Sequence, residues 1–275
     1  MEYKRILTIQ DISCVGQCSM TVALPVLSAC GHETCILPTA LLSTHTGGFG
    51  KPRVVHFDDA LEGMWRHWQE NEITFDAILV GYLGSTGAIR MTEDIIDHLR
   101  APDGVVLVDP VFGDHGKLYS GFDDAYVQAM KGLCRKADII IPNITEAAML
   151  CGLNYQEKVA EEYTQKLLTE LNHPCVILTG TGYEPGTTGV TLREGRQQML
   201  YTHPKVGNKN CHGTGDLFAA CFTGALMQGK SKEEAVKIAA DFVCCAIRKT
   251  VEAPAHWYGV KFEHALPELI RQLQE

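Results

Sequence analysis

The sequence predicts an α/β protein built as a three-layer α-β-α sandwich with a mostly parallel central sheet. Three observations carry that expectation. Short apolar, β-branched runs recur without alternation, as in "AILVG" (77–81), "VVLVD" (105–109) and "CVILTG" (175–180), the pattern of strands covered on both faces. Helix-compatible stretches separate such runs, at 57–70, 89–100, 122–134 and 157–171, so strand and helix alternate as parallel pairing requires. The chain has 275 residues, 45% of them hydrophobic and 21% charged. That is enough for one large core, and a single domain is expected over residues 1–275.

Taken in order, "RILTIQ" (5–10) is the first strand, and the chain is expected to pass from it directly into a helix near 17–30. "TCILPT" (34–39) follows as a strand, then the 57–70 helix, the 77–81 strand, the 89–100 helix and the 105–109 strand. The 122–134 helix leads to "DIIIPN" (138–143), and the 157–171 helix to the 175–180 strand. "TGVTLREGRQQMLYT" (188–202) differs, because two polar-alternating runs flank "REGR"; this reads as an antiparallel hairpin at a sheet edge. Ser231 and Glu234 have the spacing of a capping box, opening a helix to about residue 249, and a last helix is expected over 262–274. "HTGGFGKP" (45–52) and "HPKVGNKN" (203–210) are Gly-rich or polar and follow strands, where lids occur.

Composition excludes some functions. The net charge is −9 and no basic stripe occurs, which argues against a nucleic-acid surface. No apolar run approaches a membrane span, and "MEYKRILTIQ" lacks a signal pattern, so a soluble, cytoplasmic protein is expected. The eleven cysteines are odd in number and include no CxxC. Cys14, Cys18, Cys30, Cys35, Cys175, Cys221, Cys244 and Cys245 sit among apolar neighbours and read as reduced core residues rather than zinc ligands.

Open α/β sheets bind ligands beyond the carboxyl ends of their strands. The residues found there are Asp11 and Ser13, Asp109 with Asp114, Asn143 with Glu146, and Thr179 with Gly180. Gly213-Thr214-Gly215 opens a further helix, whose free N–H groups and positive dipole end suit phosphate. Asp216 is then either a first-turn acid complementing that dipole or a proton acceptor with an ordinary pKa of about 3.9, kept ionised by the helix end. Each other position also has two readings. Asn143 and Glu146 either cap a helix or hold Mg²⁺ through water. Asp109 either begins an Asp-Pro turn or joins that metal site. Thr46, in "STHTGG" (43–48), belongs to a plain turn or to a pocket, and Tyr82 to the core or to that pocket. Asp11 and Ser13 either cap the following helix or bind a ligand. Cys211 and His212 are loop filler, or His212 donates to phosphate.

"HGTGDLFAA" (212–220), "DPVFGD" (109–114), "IIPNITEAAML" (140–150) and "GYLGS" (81–85), joined by "TIQDISCVGQ" (8–17) and "LLSTHTGG" (41–48), together resemble the ribokinase-like superfamily. Within it the chain, from about residue 5 to 250, is similar to the pyridoxal (pyridoxine, pyridoxamine) kinases. The resemblance implies ATP- and Mg²⁺-dependent phosphorylation of the 5'-hydroxymethyl group of a B6 vitamer by a homodimer, with a monovalent-cation requirement left open. Carried over by position, Asp216 resembles the catalytic base, and the amides of Gly213, Thr214 and Gly215 the anion hole. Asn143 and Glu146 resemble the metal-phosphate pair. Asp109, Asp114, Tyr119, Thr179 and Gly180 fall on the nucleotide or metal side, and Asp11, Ser13, Thr46 and Tyr82 on the vitamin side. Asp11 stands where many of these kinases carry Ser. The related hydroxymethylpyrimidine kinases, the alternative assignment, often carry Cys at the position of Asp216 and a Gly-Ser-Asp stretch after the first strand, absent here. Sugar kinases of the superfamily add a small β-lid after that strand, for which this chain has no room. A nicotinamide-dependent oxidoreductase needs G-x-G-x-x-G after an early strand, and "DISCVGQ" does not supply it.

Overall fold

The apolar runs become the strands of one nine-stranded sheet in the computed structural model, which describes residues 3–207, 211–253 and 255–274. The first half of the chain forms β1 (Arg5–Ser13), α1 (Met20–Ala29), β2 (Glu33–Leu42), β3 (Val54–His56), α2 (Asp58–Glu70), β4 (Phe75–Val80), α3 (Thr86–Leu99) and β5 (Arg100–Val108). A two-stranded flap, β6 (Gly113–Asp114) and β7 (Lys117–Leu118), precedes α4 (Asp124–Cys134), β8 (Ile139–Ile140), α5 (Ile144–Cys151), α6 (Glu161–Leu171) and β9 (Cys175–Thr179). The hairpin β10 (Thr187–Glu194) and β11 (Gln197–Pro204) leads to α7 (Thr214–Met227), α8 (Lys232–Val251), a 3₁₀ turn (Phe262–His264) and α9 (Leu266–Gln274). The sheet order is β11-β10-β9-β8-β5-β4-β1-β2-β3, antiparallel only at β3 and at the β9-β10-β11 edge.

Successive side chains on a strand point to opposite faces, and both faces are apolar here. Ile6, Ala77, Leu79, Leu107 and Ile177 pack under α1, α7, α8 and α9, while Leu7, Ile78, Val80, Val106 and Leu178 pack under α2 to α6. Burying each Val, Leu or Ile among them contributes about 1.5–3 kcal/mol. The ribokinase-like α-β-α sandwich is therefore present. From β1 the chain passes through α1 to β2 on one side, then returns through α2 to β4 on the other. The connections diverge at the β1/β4 boundary, where doubly wound sheets open a crevice at the carboxyl edge. Among the described residues, no helix is long and apolar enough to cross a membrane.

Several local expectations are corrected. The first strand does not run straight into a helix: β1 continues to Ser13, and a loop over 14–19 precedes α1. Asp11 and Ser13 therefore cap nothing. They lie on β1, where the register with β2 shifts between Gln10 and Ile12, an irregularity that re-aims side chains. The helix expected over 157–171 begins only at Glu161, and the short α5 and β3 carry too few residues for a periodic signal. No disulfide joins the cysteines among the described residues, but Cys14 is exposed, and Cys18, Cys35 and Cys245 are half-buried, so these four are not core residues. Of the second expected lid, His203 and Pro204 belong to β11, and 208–210 lie outside the described residues.

Candidate active site

The carboxyl edge gathers the acids one strand at a time. Asp109 follows β5 and is buried, with its main-chain N–H donating to Val80 O at 2.9 Å. Pro110 after it leads to Val111 at φ 30°, a left-handed conformation that a β-branched residue adopts only when held there. That strain places the Val111 amide on the Asp109 carboxylate. Beyond β8, Asn143 and Glu146 form a complete capping box. Asn143 Oδ1 accepts from the Glu146 N–H at 2.9 Å, and Glu146 Oε2 accepts from the Asn143 N–H at 2.9 Å. The capping reading thus holds, yet Glu146 does more: Oε1 accepts from the Phe112 N–H at 3.1 Å. Asn143 Nδ2 donates to Gly113 O at 2.9 Å, and Thr145 Oγ1 accepts from the Gly116 N–H at 3.0 Å. One helix start therefore fixes the whole 112–116 turn, which carries Asp114 at its exposed tip.

α7 supplies the other acid. The helix is apolar all round because it is packed between α1 and α8, so only its ends reach the surface. Gly213, at φ 82°, opens it, and a Cβ there would stand 2.0 Å from Gln17 O. Only glycine lets the 14–19 loop lie against the helix mouth so closely. Asp216, half-buried, accepts from the Ser19 N–H at 2.9 Å. Ser19 itself has φ 53° and gives α1 no side-chain cap; its amide serves Asp216 instead. A Cβ on Gly215 would lie 3.8 Å from Asp109 Oδ2, so the helix start faces the Asp109–Glu146 side. The start of α7 and the Asp109, Glu146 and Asp216 carboxylates thus lie close together.

The electrostatics follow from burial. Asp109 is pushed well above the usual carboxylate range by burial, then by Glu146 and Asp216. Burial pushes Glu146 up to about 7 against the pull of its main-chain hydrogen bonds. Asp216 rises to about 6 through burial, opposed by the Ser19 amide and aided by Asp11. Burial thus lifts Asp216 above the ordinary value expected of it, while at about 6 it stays mostly ionised at neutral pH. Asp11 is raised by burial, with Ser13 Oγ donating to it at 3.1 Å. Tyr82 is pushed up to about 12 by burial and Asp11. Tyr119 is raised by burial and by Glu146, Asp114, Asp216 and Asp109 in turn. A buried Asp109 raised by its neighbours Glu146 and Asp216 fits a divalent cation such as Mg²⁺, which needs few protein carboxylates when phosphate and water complete its shell. Asp109 and Glu146 are the residues that would hold it.

The remaining predicted residues are distributed around this centre. Thr179 and Gly180 end β9 beside Asn143, with the Thr179 N–H donating to Pro142 O at 3.0 Å. Tyr82 follows β4, its ring 5.4 Å from that of Phe122. Thr46 is exposed, while its neighbour His45 is buried. His212 is exposed, its ring 5.1 Å from that of His45, and Cys211 O accepts from Thr214 Oγ1 at 3.3 Å. Sequence reasoning missed Ser19, Val111, Thr145 and His45. The first two act through strained main chain and carry no residue-type signal. Thr145 is hidden inside the capping box, and only its place in "NITE" could have flagged it.

With this geometry in hand, the comparisons are specific. The family model described as phosphomethylpyrimidine kinase matches residues 24–260. Pyridoxal kinase from Lactobacillus plantarum is 31% identical, with a TM-score of 0.89 over 98% of each chain. A Bacteroides thetaiotaomicron protein, provisionally named a phosphomethylpyrimidine kinase and crystallised with pyridoxal, is 34% identical, with a TM-score of 0.88 over 98% of this chain and 96% of its own. The hydroxymethylpyrimidine/phosphomethylpyrimidine kinase of Haemophilus influenzae is 30% identical over 188 residues, 65% of this chain and 67% of the relative. Nothing in these relatives points to an oxidoreductase. The chain belongs to the phosphomethylpyrimidine kinase family, within the ribokinase-like kinases that also include the pyridoxal kinases.

Proposed function

We propose that this chain transfers the γ-phosphoryl group of ATP to the 5'-hydroxymethyl oxygen of B6 vitamers, pyridoxal, pyridoxine and pyridoxamine. The observation that carries this reading is the Asp216 carboxylate, held by the Ser19 amide at the mouth of α7 beside the helix amides that suit a phosphate. A carboxylate raised to about 6 is still mostly ionised at neutral pH and is a stronger base than an exposed Asp. As the alcohol oxygen bonds to the γ-phosphorus, Asp216 takes the hydroxyl proton, and the β–γ bridging oxygen leaves with ADP. The Gly213, Thr214 and Gly215 amides hold the charge that spreads over the transferring group. A divalent cation bound near Asp109 and Glu146 would offset phosphate charge. Thr179, Gly180, Asp114 and Tyr119 border the nucleotide side; Asp11, Ser13, Tyr82 and Thr46 border the acceptor side.

Hydroxymethylpyrimidine kinase is the second reading, favoured by the family match and the Haemophilus relative. Against it stands Asp216 itself, where those kinases often carry Cys. A panel of the three vitamers and hydroxymethylpyrimidine with Mg-ATP, read as ADP released, separates the two. Turnover of a vitamer with little on the pyrimidine is expected; the reverse pattern moves the assignment to the pyrimidine.

A further inference from the structure

A rank of aromatic rings runs from the catalytic loop to the C-terminal segment, and the phosphoryl transfer described above uses none of it. His212 precedes Gly213 in the chain, and its ring lies 5.1 Å from that of His45. His45 meets Phe49 edge-on at 5.0 Å, and Phe49 lies 4.7 Å from Trp257 and 5.4 Å from Tyr258. Ring pairs at such separations attract beyond what burial alone supplies. The 43–50 loop is thus clasped between the helix mouth on one side and residues 257–258 on the other.

Trp257 is the outer member of the rank. It is 50% exposed, so it is not a core anchor. What it covers is the loop main chain: a Cβ on Gly48, at φ +85°, would lie 2.6 Å from Trp257 Cζ3. The inner member is tied to the catalytic side. The His45 N–H donates to Val15 O at 3.1 Å, and His45 Nδ1 accepts from the Gly47 N–H at 3.0 Å. Val15 begins the turn that ends at Ser19, the residue whose amide holds Asp216. The C-terminal segment is itself anchored to that turn, because Gln17 Nε2 donates to Glu263. Contact therefore runs without a break from Trp257 through Phe49 and His45 to the turn beneath the catalytic carboxylate.

We propose that Trp257 is a positioning residue that latches the 43–50 loop over the acceptor side of the site. Its catalytic consequence rests on the kinase reading; the latch itself does not. Trp257→Ala should raise KM for the alcohol acceptor about tenfold, the size of one lost ring contact, with KM for ATP and kcat within about twofold of wild type. Trp257→Phe should restore the acceptor KM. Hydrogen–deuterium exchange of amides 47–50 should be several-fold faster in Trp257→Ala, with the strands of the sheet unchanged. Phe49→Leu, which removes the partner ring from the loop side, should reproduce both effects. An unchanged acceptor KM, or an equal rise in both KM values, overturns the positioning role. Failure of the wild-type protein to phosphorylate any alcohol defeats the kinase reading instead, and the exchange measurement then decides the latch alone: unchanged exchange at 47–50 in both variants overturns it.

Discussion

On the proposed phosphate side, Glu146 draws its donors from Asn143 and Phe112, three and 34 residues away in the chain; on the proposed acceptor side, Asp216 takes its donor from Ser19, 197 residues away. The first side is a helix cap extended by one turn. Its pieces all lie within residues 112–146, so bringing them together costs less loop entropy than joining Ser19 to Asp216 across 197 residues. The second side exists only once α7 has packed against α1 and the 14–19 loop has settled on Gly213. Glu146 accordingly has main-chain partners on both oxygens, whereas Asp216 has one main-chain donor and keeps part of its surface open. The difference suits the two tasks. Under the proposed kinase reading, the phosphate side is fixed before the nucleotide arrives, while the acceptor side keeps a carboxylate free to take a proton.

The largest test of that contrast is at Asp216. Asp216→Asn keeps the shape and the Ser19 hydrogen bond but removes the base, so kcat should fall about 10²–10⁴-fold while calorimetric ADP binding stays near wild type. The same variant should be more stable at pH 7. The folded pKa of about 6 lies above the ordinary aspartate value of 3.8, so the folded chain binds more protons across that interval. Stability linked to Asp216 is complete below about 3.8 and is lost as pH rises through about 6. Removing the charge should therefore return on the order of 1–3 kcal/mol, read as a raised urea midpoint. A less stable Asn variant would show that the acceptor side is not strained by its buried charge.

At Glu146 the opposite imbalance is expected. Glu146→Gln leaves one of the main-chain donors facing an amide N–H, loosening the 112–116 turn. One lost charge-assisted hydrogen bond corresponds to about ten- to a hundredfold in KM for ATP, with the acceptor KM little changed. Equal effects on the two KM values would erase the division between the halves.

The pH profile comes next in size. In its proposed role Asp216 acts only when ionised, so kcat at saturating substrates should fall about tenfold between pH 7 and pH 5, on a limb centred near its pKa of about 6. Asp216→Asn should lose that limb. The smallest effect is a control. A depression of about 410 Å³ beyond the opposite edge of the sheet is lined by Leu192, Glu194, Gln197, Gln198, Met199 and Glu233. Glu233→Gln should change kcat/KM less than about twofold, as expected for a surface substitution away from the chemistry.

How much of this was legible beforehand depends on distance along the chain. Each of the six apolar runs became a strand, because a residue buried on both faces must be apolar whatever its partners. The 188–202 hairpin and the Ser231–Glu234 cap also appeared as read, since both are local. The Asn143–Glu146 pair was read as both a cap and a site feature, and its hydrogen bonds support the first directly. Positions such as Ser19 and Val111 were silent, because strain in φ is imposed by packing and leaves no trace in residue type. The β1 continuation to Ser13 was missed for the same reason: "DIS" gains its strand from β2, not from its own pattern.

By itself the sequence determined the layers, the edge at which polar residues collect and the identity of the acids there, for these follow from side-chain polarity and period. The tertiary structure alone decided that Asp216 meets the Ser19 amide, that burial raises its pKa, and that Trp257 covers a loop some two hundred residues before it. The physical reason is that solvation and steric contact depend on what packing brings near, and chain neighbours do not specify that.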